Sequence, residues 1–160
     1  MDNIFIPQAE IDRQIEIAHS LRSETKGKKA CVITFGCQQN ENDSERIAGA
    51  LELCGYEMTD NADEASMIII NTCAIREHAE QRALSIVGQY KHLKAARPDL
   101  IIGVCGCMVT QAHRRDDIKF RYPYVDFVFG TSSVHRLPQL ICERRDQNKR
   151  LFWPEEPYRI

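Results

Sequence analysis

The chain has 160 residues, 43% hydrophobic and 28% charged, with a formal net charge of −2. That balance suits one ordinary globular domain with room for a tail, and argues against a disordered chain, a fibrous repeat or a large basic surface for nucleic acid. No apolar run approaches the ~20 residues of a membrane helix. The start, Met1-Asp2-Asn3-Ile4, has no basic segment leading into a long apolar stretch, so the chain reads as cytoplasmic.

In chain order, residues 8–23 carry Ile11, Ile15, Ala18 and Leu21 at helical spacing, with Pro7 suited to the first turn. This helix belongs to an N-terminal extension, 1–28. The main domain is expected over 29–146. It opens on an apolar run, 30–35, that reads as a strand buried on both faces. A helix follows, capped by Asn42 with Glu45 three residues on, presenting Ile47, Ala48, Leu51 and Cys54 and ending at Gly55 as its C′ residue.

Residues 56–59 alternate and suit an edge strand, and 61–65 form a turn with one helical turn at most. Met67–Ile70 is a second buried strand, followed by a helix over 77–96 that Pro98 stops. Residues 100–104 make a third buried strand, 109–120 a helix, and 124–129 a last strand. A final helix holds Val134, Leu137, Leu140 and Ile141. Residues 147–160 read as a linker.

Strands alternating with helices predict an α/β fold: a parallel five-stranded sheet with helices on both faces, a flavodoxin-like or Rossmann-like three-layer sandwich. The flavodoxin-like order 2-1-3-4-5 makes the first, third and fourth strands neighbours. Their carboxyl ends, where ligands bind in such sheets, lead into Cys37, Cys73 and Cys107. The three thiols are thereby expected to meet.

Seven cysteines, odd in number and spread from Cys31 to Cys142, suit metal or redox work better than a secreted disulfide framework. Thiolates bind zinc, copper(I) or iron–sulfur clusters. Cys-x-x-Cys pairs are absent, and three thiolates from three loops suit a [4Fe–4S] cluster with one iron left open. Cys105, two residues before Cys107, shares its side-chain direction and could stand in for it. Cys107 is preferred because it follows Gly106 and leaves the strand. Cys31, Cys54 and Cys142 read as packing residues. The pairs Arg114-Arg115 and Arg144-Arg145 read as solvated helix faces, and the five histidines as surface or capping residues. Neither a dinucleotide fingerprint nor a phosphate-binding loop motif is present.

The stretches 35–46 (FGCQQNENDSER), 71–77 (NTCAIRE) and 103–108 (GVCGCM) resemble the N-terminal domain of the radical-SAM methylthiotransferases. Residues 128–131 and 135–138 resemble its end, so the resemblance covers roughly 29–145. The run after Cys37 is similar to the tRNA-modifying branch; the branch acting on a ribosomal-protein aspartate typically has proline after the cysteine. Gln39 departs from the methionine expected there.

The resemblance implies that Cys37, Cys73 and Cys107 ligate an auxiliary [4Fe–4S] cluster, with the ligand of the third motif at its second cysteine. It implies no catalytic side chain here. It implies an enzyme that adds a methylthio group to C2 of an N(6)-isopentenyl-type adenosine beside the anticodon of tRNA. A radical-SAM domain of the same chain would hold S-adenosylmethionine and a second [4Fe–4S] cluster on Cys-x-x-x-Cys-x-x-Cys. That spacing does not occur in these 160 residues. The expectation is therefore a fragment, inactive alone, without the radical-SAM and RNA-binding domains. Two rival readings are a non-enzymatic flavodoxin-like binding module whose cysteines only pack, and a zinc site with Cys105 as fourth ligand.

Overall fold

The computed structural model describes residues 6–36, 38–72, 77–106 and 118–153. Its elements are α1 (Gln8–Thr25), β1 (Lys29–Thr34), α2 (Gln38–Leu53), β2 (Glu57–Met58), β3 (Met67–Thr72), α3 (Glu77–Ala96), β4 (Ile101–Gly106), β5 (Phe127–Phe129), α4 (Leu137–Gln147) and β6 (Leu151–Phe152). Short 3₁₀ turns cover Ala62–Glu64 and Thr131–Arg136. The strands form one sheet in the order β2-β1-β3-β4-β5-β6, every neighbouring pair parallel. The first five strands take the predicted order. The sixth, Leu151–Phe152, arises inside the stretch expected as a linker. It is held by Leu151 N donating to Asp126 O (3.0 Å) and Trp153 N donating to Val128 O (2.8 Å). Two residues are too few to show an alternation, although Leu151 joins one core and Phe152 packs against the other.

Strand β3 is buried at every position. Its even and odd residues feed two separate cores. Met67 and Ile69 join Ala30, Phe127 and Phe129 on the face covered by Leu21 of α1, Ile47 and Leu51 of α2, and Leu137 and Leu140 of α4. Ile68 and Ile70 join Cys31, Ile102, Val104 and Val128 on the face covered by Val87 of α3, together with Ile118 and Val125. Helices on both faces make the three-layer α/β sandwich. Each fully buried isoleucine contributes roughly 1.5–3 kcal/mol relative to exposure.

Several local features depart from the sequence reading. Pro7 sits just before α1, its carbonyl accepting from Glu10 N and Ile11 N. The buried stripe of α1 is Gln14, Ala18, Leu21 and Thr25, not the isoleucine row, since Ile11 and Ile15 are half-buried. Gln14 is drawn inward by reciprocal amide bonds with Gln139 at the start of α4: Nε2 donates to Gln139 Oε1 (3.0 Å) and Gln139 N donates to Gln14 Oε1 (3.1 Å). Helix α2 begins at Gln38, so Asn42 is an exposed interior residue rather than a cap.

Its other end behaves as expected. Gly55 has φ +102°, Tyr56 N donates to Leu51 O (3.1 Å) and Gly55 N to Glu52 O (2.9 Å), the paired bonds of a Schellman motif. β4 runs on to Gly106 and so includes Cys105, whereas β5 is only Phe127–Phe129, with Tyr124 in the preceding turn. The helix expected over 109–120 lies outside the described residues except for 118–120, which are helical.

Candidate functional site

Three adjacent strands end together at the carboxyl edge of the sheet. The register pairs Thr34 with Asn71 and Asn71 with Cys105, and then Thr72 with Gly106. Phe35 N donates to Asn71 O (2.8 Å), carrying the β1–β3 ladder one residue further. The described residues leading out of β1, β3 and β4 are thus Gly36, Thr72 and Gly106. Each stands immediately before one of the predicted ligands. Cys37, Cys73 and Cys107 themselves lie outside the described residues. At about 4.8 Å per strand, the ends of β1 and β4 are about 10 Å apart with β3 between them.

Both outer exits need glycine. Gly36 has φ +130° and Gly106 φ +133°, backbone that residues with a Cβ rarely adopt. A Cβ on Gly106 would also collide with the carbonyl oxygen of Thr72. Only glycine lets β4 press against β3 at this level.

A partly buried network of neutral polar groups stiffens the edge. Asn71 Nδ2 donates to Asn40 O (2.7 Å) and to Ser44 Oγ (3.0 Å), Asn40 Nδ2 donates to Thr72 O (3.2 Å), and the Thr34 and Ser44 hydroxyls share a bond of 2.6 Å. These bonds tie the first turn of α2 to β1 and β3. That tie explains why the helix starts four residues before Asn42: its opening turn is fixed by tertiary bonds instead of a capping box. The amino terminus of α2 therefore faces the same edge, and its partial positive charge favours thiolates and other anions there.

Among the described residues, the same edge holds hydrogen-bonding groups without partners. Asn71 Oδ1, Thr72 Oγ1, Ser132 Oγ and Ser133 Oγ are buried and make no hydrogen bond to a described residue. Native proteins rarely bury such atoms unsatisfied. Two belong to the last residues of β3 and two to the 3₁₀ turn that follows β5. His135, in that turn, is held below its ordinary pKa first by burial and then by the Arg136 charge, with Glu10 opposing. The Arg136 guanidinium lies 4.5 Å from the centroid of the Trp153 ring.

The remaining cysteines lie apart from one another. Cys105 is fully buried on the α1–α2–α4 face, in the same apolar cluster as Phe127 and Phe129. Cys31 is buried on the opposite face, and burial raises its thiol pKa. Cys54 is buried at the end of α2 and is pushed up to about 12, chiefly by desolvation. Cys142 is half-buried on α4, with Asp146 and Arg145 beside its sulfur. Among the described residues no three His, Cys, Asp or Glu side chains converge into a metal site.

One of the basic residues departs from the solvated-face reading. Arg144 is no solvated side chain: its Nη2 meets the buried Asp126 carboxylate at 2.8 Å. Arg145 pairs with Glu24 (2.7 Å) and Asp146 (2.8 Å). Arg114 and Arg115 lie outside the described residues. Sequence reasoning also missed the Asn40–Asn71–Ser44 network. The available signal was Asn71 itself, a polar residue ending the apolar run 67–70 inside a buried strand.

The profile of the Uncharacterized protein family UPF0004 matches residues 29–130. A tRNA-2-methylthio-N(6)-dimethylallyladenosine synthase of Thermoanaerobacter sp. (strain X514) is 46% identical over 143 residues, covering 88% of this chain and 30% of that protein. The protein of the same name from Bacillus licheniformis is 44% identical over 128 residues, 80% of this chain and 25% of its own length. That from Clostridioides difficile is 43% identical over 147 residues, 89% of this chain and 31% of its own. The chain thus spans about 30% of the length of curated relatives it matches. No helix among the described residues is long and apolar enough to cross a membrane. Matched by that profile over most of its length, the chain belongs to protein family UPF0004 and is related to the tRNA methylthiotransferases.

Proposed function

We propose that this chain is the auxiliary-cluster domain of a cytoplasmic tRNA methylthiotransferase, in which Cys37, Cys73 and Cys107 hold a [4Fe–4S] cluster. The observation that carries the reading is the register bringing Gly36, Thr72 and Gly106, the residues before those three cysteines, to one edge on neighbouring strands. The surroundings fit a thiolate-ligated group. The amino terminus of α2 favours negative charge, Gly36 and Gly106 adopt positive φ at the two outer exits, and buried polar atoms there have no partner among the described residues. Cys105 packs in the apolar core, which supports Cys107 as the third ligand and disfavours a zinc site completed by Cys105.

When bound, such a cluster supplies an open iron position for a sulfur ligand. The residues of this chain do the holding: three thiolates fix the site, and Asn40, Asn71 and Ser44 fix the strand ends that present them. The substrate of the whole enzyme is tRNA, at C2 of an N(6)-isopentenyl-type adenosine beside the anticodon. Its other partner is a radical-SAM domain carrying S-adenosylmethionine and a second [4Fe–4S] cluster. The Cys-x-x-x-Cys-x-x-Cys set for that chemistry is not in these 160 residues, so by themselves they are expected not to modify tRNA.

Anaerobic reconstitution with ferrous iron and sulfide tests the assignment. About four irons and four sulfides per chain are expected, with uptake lost in Cys37→Ala, Cys73→Ala and Cys107→Ala and kept in Cys105→Ala. No uptake by the wild type, or full uptake by Cys37→Ala, overturns it.

A further inference from the structure

Among the described residues Phe120 is the one large apolar side chain left in solvent, 77% exposed. Its backbone is nonetheless held firmly. Ile118 is fully buried, and its carbonyl accepts from Tyr122 N (3.1 Å). Arg150, at the entrance to β6, donates to the carbonyls of Lys119 (2.9 Å), Tyr122 (3.0 Å) and Val125 (2.7 Å). One guanidinium thus clamps the segment 119–125 to the start of β6.

The clamp gathers cations around the exposed ring. Lys119, Arg121 and Lys149 are all exposed, and Lys149 directly precedes the clamping arginine. Lys119 Nζ lies 5.9 Å from the centroid of the Phe120 ring and 5.7 Å from that of Phe152, with the Arg150 guanidinium 4.9 Å from the latter. Among the described residues none of Lys119, Arg121 and Lys149 has an ion-pair partner, and the buried Asp126 carboxylate is taken up by Lys94 and Arg144. The chain has 23 acidic residues against 21 basic ones, so three unneutralised cations beside an exposed ring are a local choice, not an excess of charge. Cations for phosphates and a fixed aromatic face for bases are what single-stranded nucleic acid needs. An acidic peptide would use the cations and leave the ring without a flat partner.

We propose that this surface binds a single-stranded stretch of RNA, one base stacking on Phe120 and the flanking phosphates meeting Lys119, Arg121 and Lys149. The choice of RNA over DNA rests on the preceding reading; the surface itself does not. It lies where β5 and β6 begin, whereas the three-cysteine corner lies where β1, β3 and β4 end, and a six-residue strand such as β4 spans about 20 Å. RNA held here is therefore a stretch away from any base presented to that corner.

Fluorescence anisotropy of a short labelled single-stranded RNA, titrated with the chain at several salt concentrations, tests this. With three phosphate contacts, log affinity should fall against log salt with a slope of about −2. Phe120→Ala should weaken binding about tenfold with the slope unchanged, and Phe120→Trp should preserve affinity. Lys149→Ala should flatten the slope by about 0.7. Lys26→Ala, which removes an exposed cation just after α1, should change neither. All four variants should keep the wild-type urea midpoint, since the replaced side chains are exposed. No binding by the wild type, undiminished binding by Phe120→Ala, or an equal loss in Lys26→Ala overturns the proposal. So does equal binding of duplex RNA, tighter binding of single-stranded DNA, or displacement of the RNA by polyglutamate at matched charge, which would assign the surface to an acidic protein segment. Iron uptake is read independently in the same variants and should be unchanged, so the three-cysteine reading stands or falls apart from this one.

Discussion

At the amino edge of the sheet Asp126 gathers charge; at the carboxyl edge Asn71 gathers neutral polar groups. Asp126 Oδ1 accepts from Arg144 Nε (3.1 Å) and Nη2 (2.8 Å), while Oδ2 accepts from Lys94 Nζ (2.8 Å) and from the backbone N of Ile102 (2.9 Å). One carboxylate thus joins α3, α4 and β4, and both of its oxygens are engaged. Nearby, Arg150 donates to three carbonyls, those of Val125, Lys119 and Tyr122. The carboxyl edge is built mainly from Asn40, Asn71, Thr34 and Ser44, and it leaves Asn71 Oδ1 and Thr72 Oγ1 without partners among the described residues. The amino edge is electrostatically closed and serves stability. The carboxyl edge keeps hydrogen-bonding capacity in reserve, which a self-contained structural edge has no need to do.

The largest expected effect comes from breaking the closed edge. Asp126→Ala would strand two cations that are about four-fifths buried, with 18% of the Lys94 side chain and 20% of the Arg144 side chain exposed. Removing one partner from a buried charge network costs about 3–5 kcal/mol. Urea denaturation should show that loss, and iron uptake by the surviving folded protein should be unchanged. A loss under 1 kcal/mol would mean the network is far less important to stability than its geometry suggests.

Next comes the opposite edge. Gly106→Ala places a Cβ against the Thr72 carbonyl at a φ of +133°. Backbone strain of this kind costs of order 1–3 kcal/mol, so the variant should be less destabilised than Asp126→Ala in urea. Its effect on the site should be greater, since the strand leading to Cys107 must move away from β3. Iron retention should fall in Gly106→Ala and hold in Asp126→Ala. Parallel losses in both variants would remove the functional distinction between the edges.

Much of this division is legible in the sequence, for reasons that can be named. β1, β3 and β4 are continuous apolar runs because both of their faces are covered, and their order follows from the helices between them. Gly55 is readable as a helix terminator because its signal is local. Arg144 is not readable: its partner Asp126 is 18 residues earlier and is brought to it only by the crossover from β5 to α4. The start of α2 is misplaced by the capping pattern because Asn40 bonds to Thr72, 32 residues away. β6 escapes because two residues are too short a run to show a strand pattern, and their places in the two cores are set by the fold. At the site, the sequence places three cysteines after three neighbouring strands. It does not reveal that Asn71 and Thr72, just before Cys73, are buried with polar atoms unsatisfied, because burial depends on the packed α2 and α3.

The smallest effect is one of pH, and it separates the edges by a different property. His135, in the turn beyond β5, has its pKa lowered from the ordinary 6.5, by burial first and then by Arg136 and Arg46, against an opposing pull from Glu10 and a backbone bond to Ser132. The unfolded chain therefore takes up this proton before the folded one does. The stabilisation is present above the unfolded pKa and is lost as pH falls from about 6.5 toward the lowered folded value. Below that value both states are protonated and the loss stops growing. The urea midpoint of the wild type should accordingly decline as pH drops from about 7 to about 5.5, and His135→Gln should flatten that decline. Asp126→Ala should leave its slope intact, because the charges at the amino edge do not face His135. A slope unchanged by His135→Gln would place the acid sensitivity elsewhere and remove this histidine from the account of the carboxyl edge.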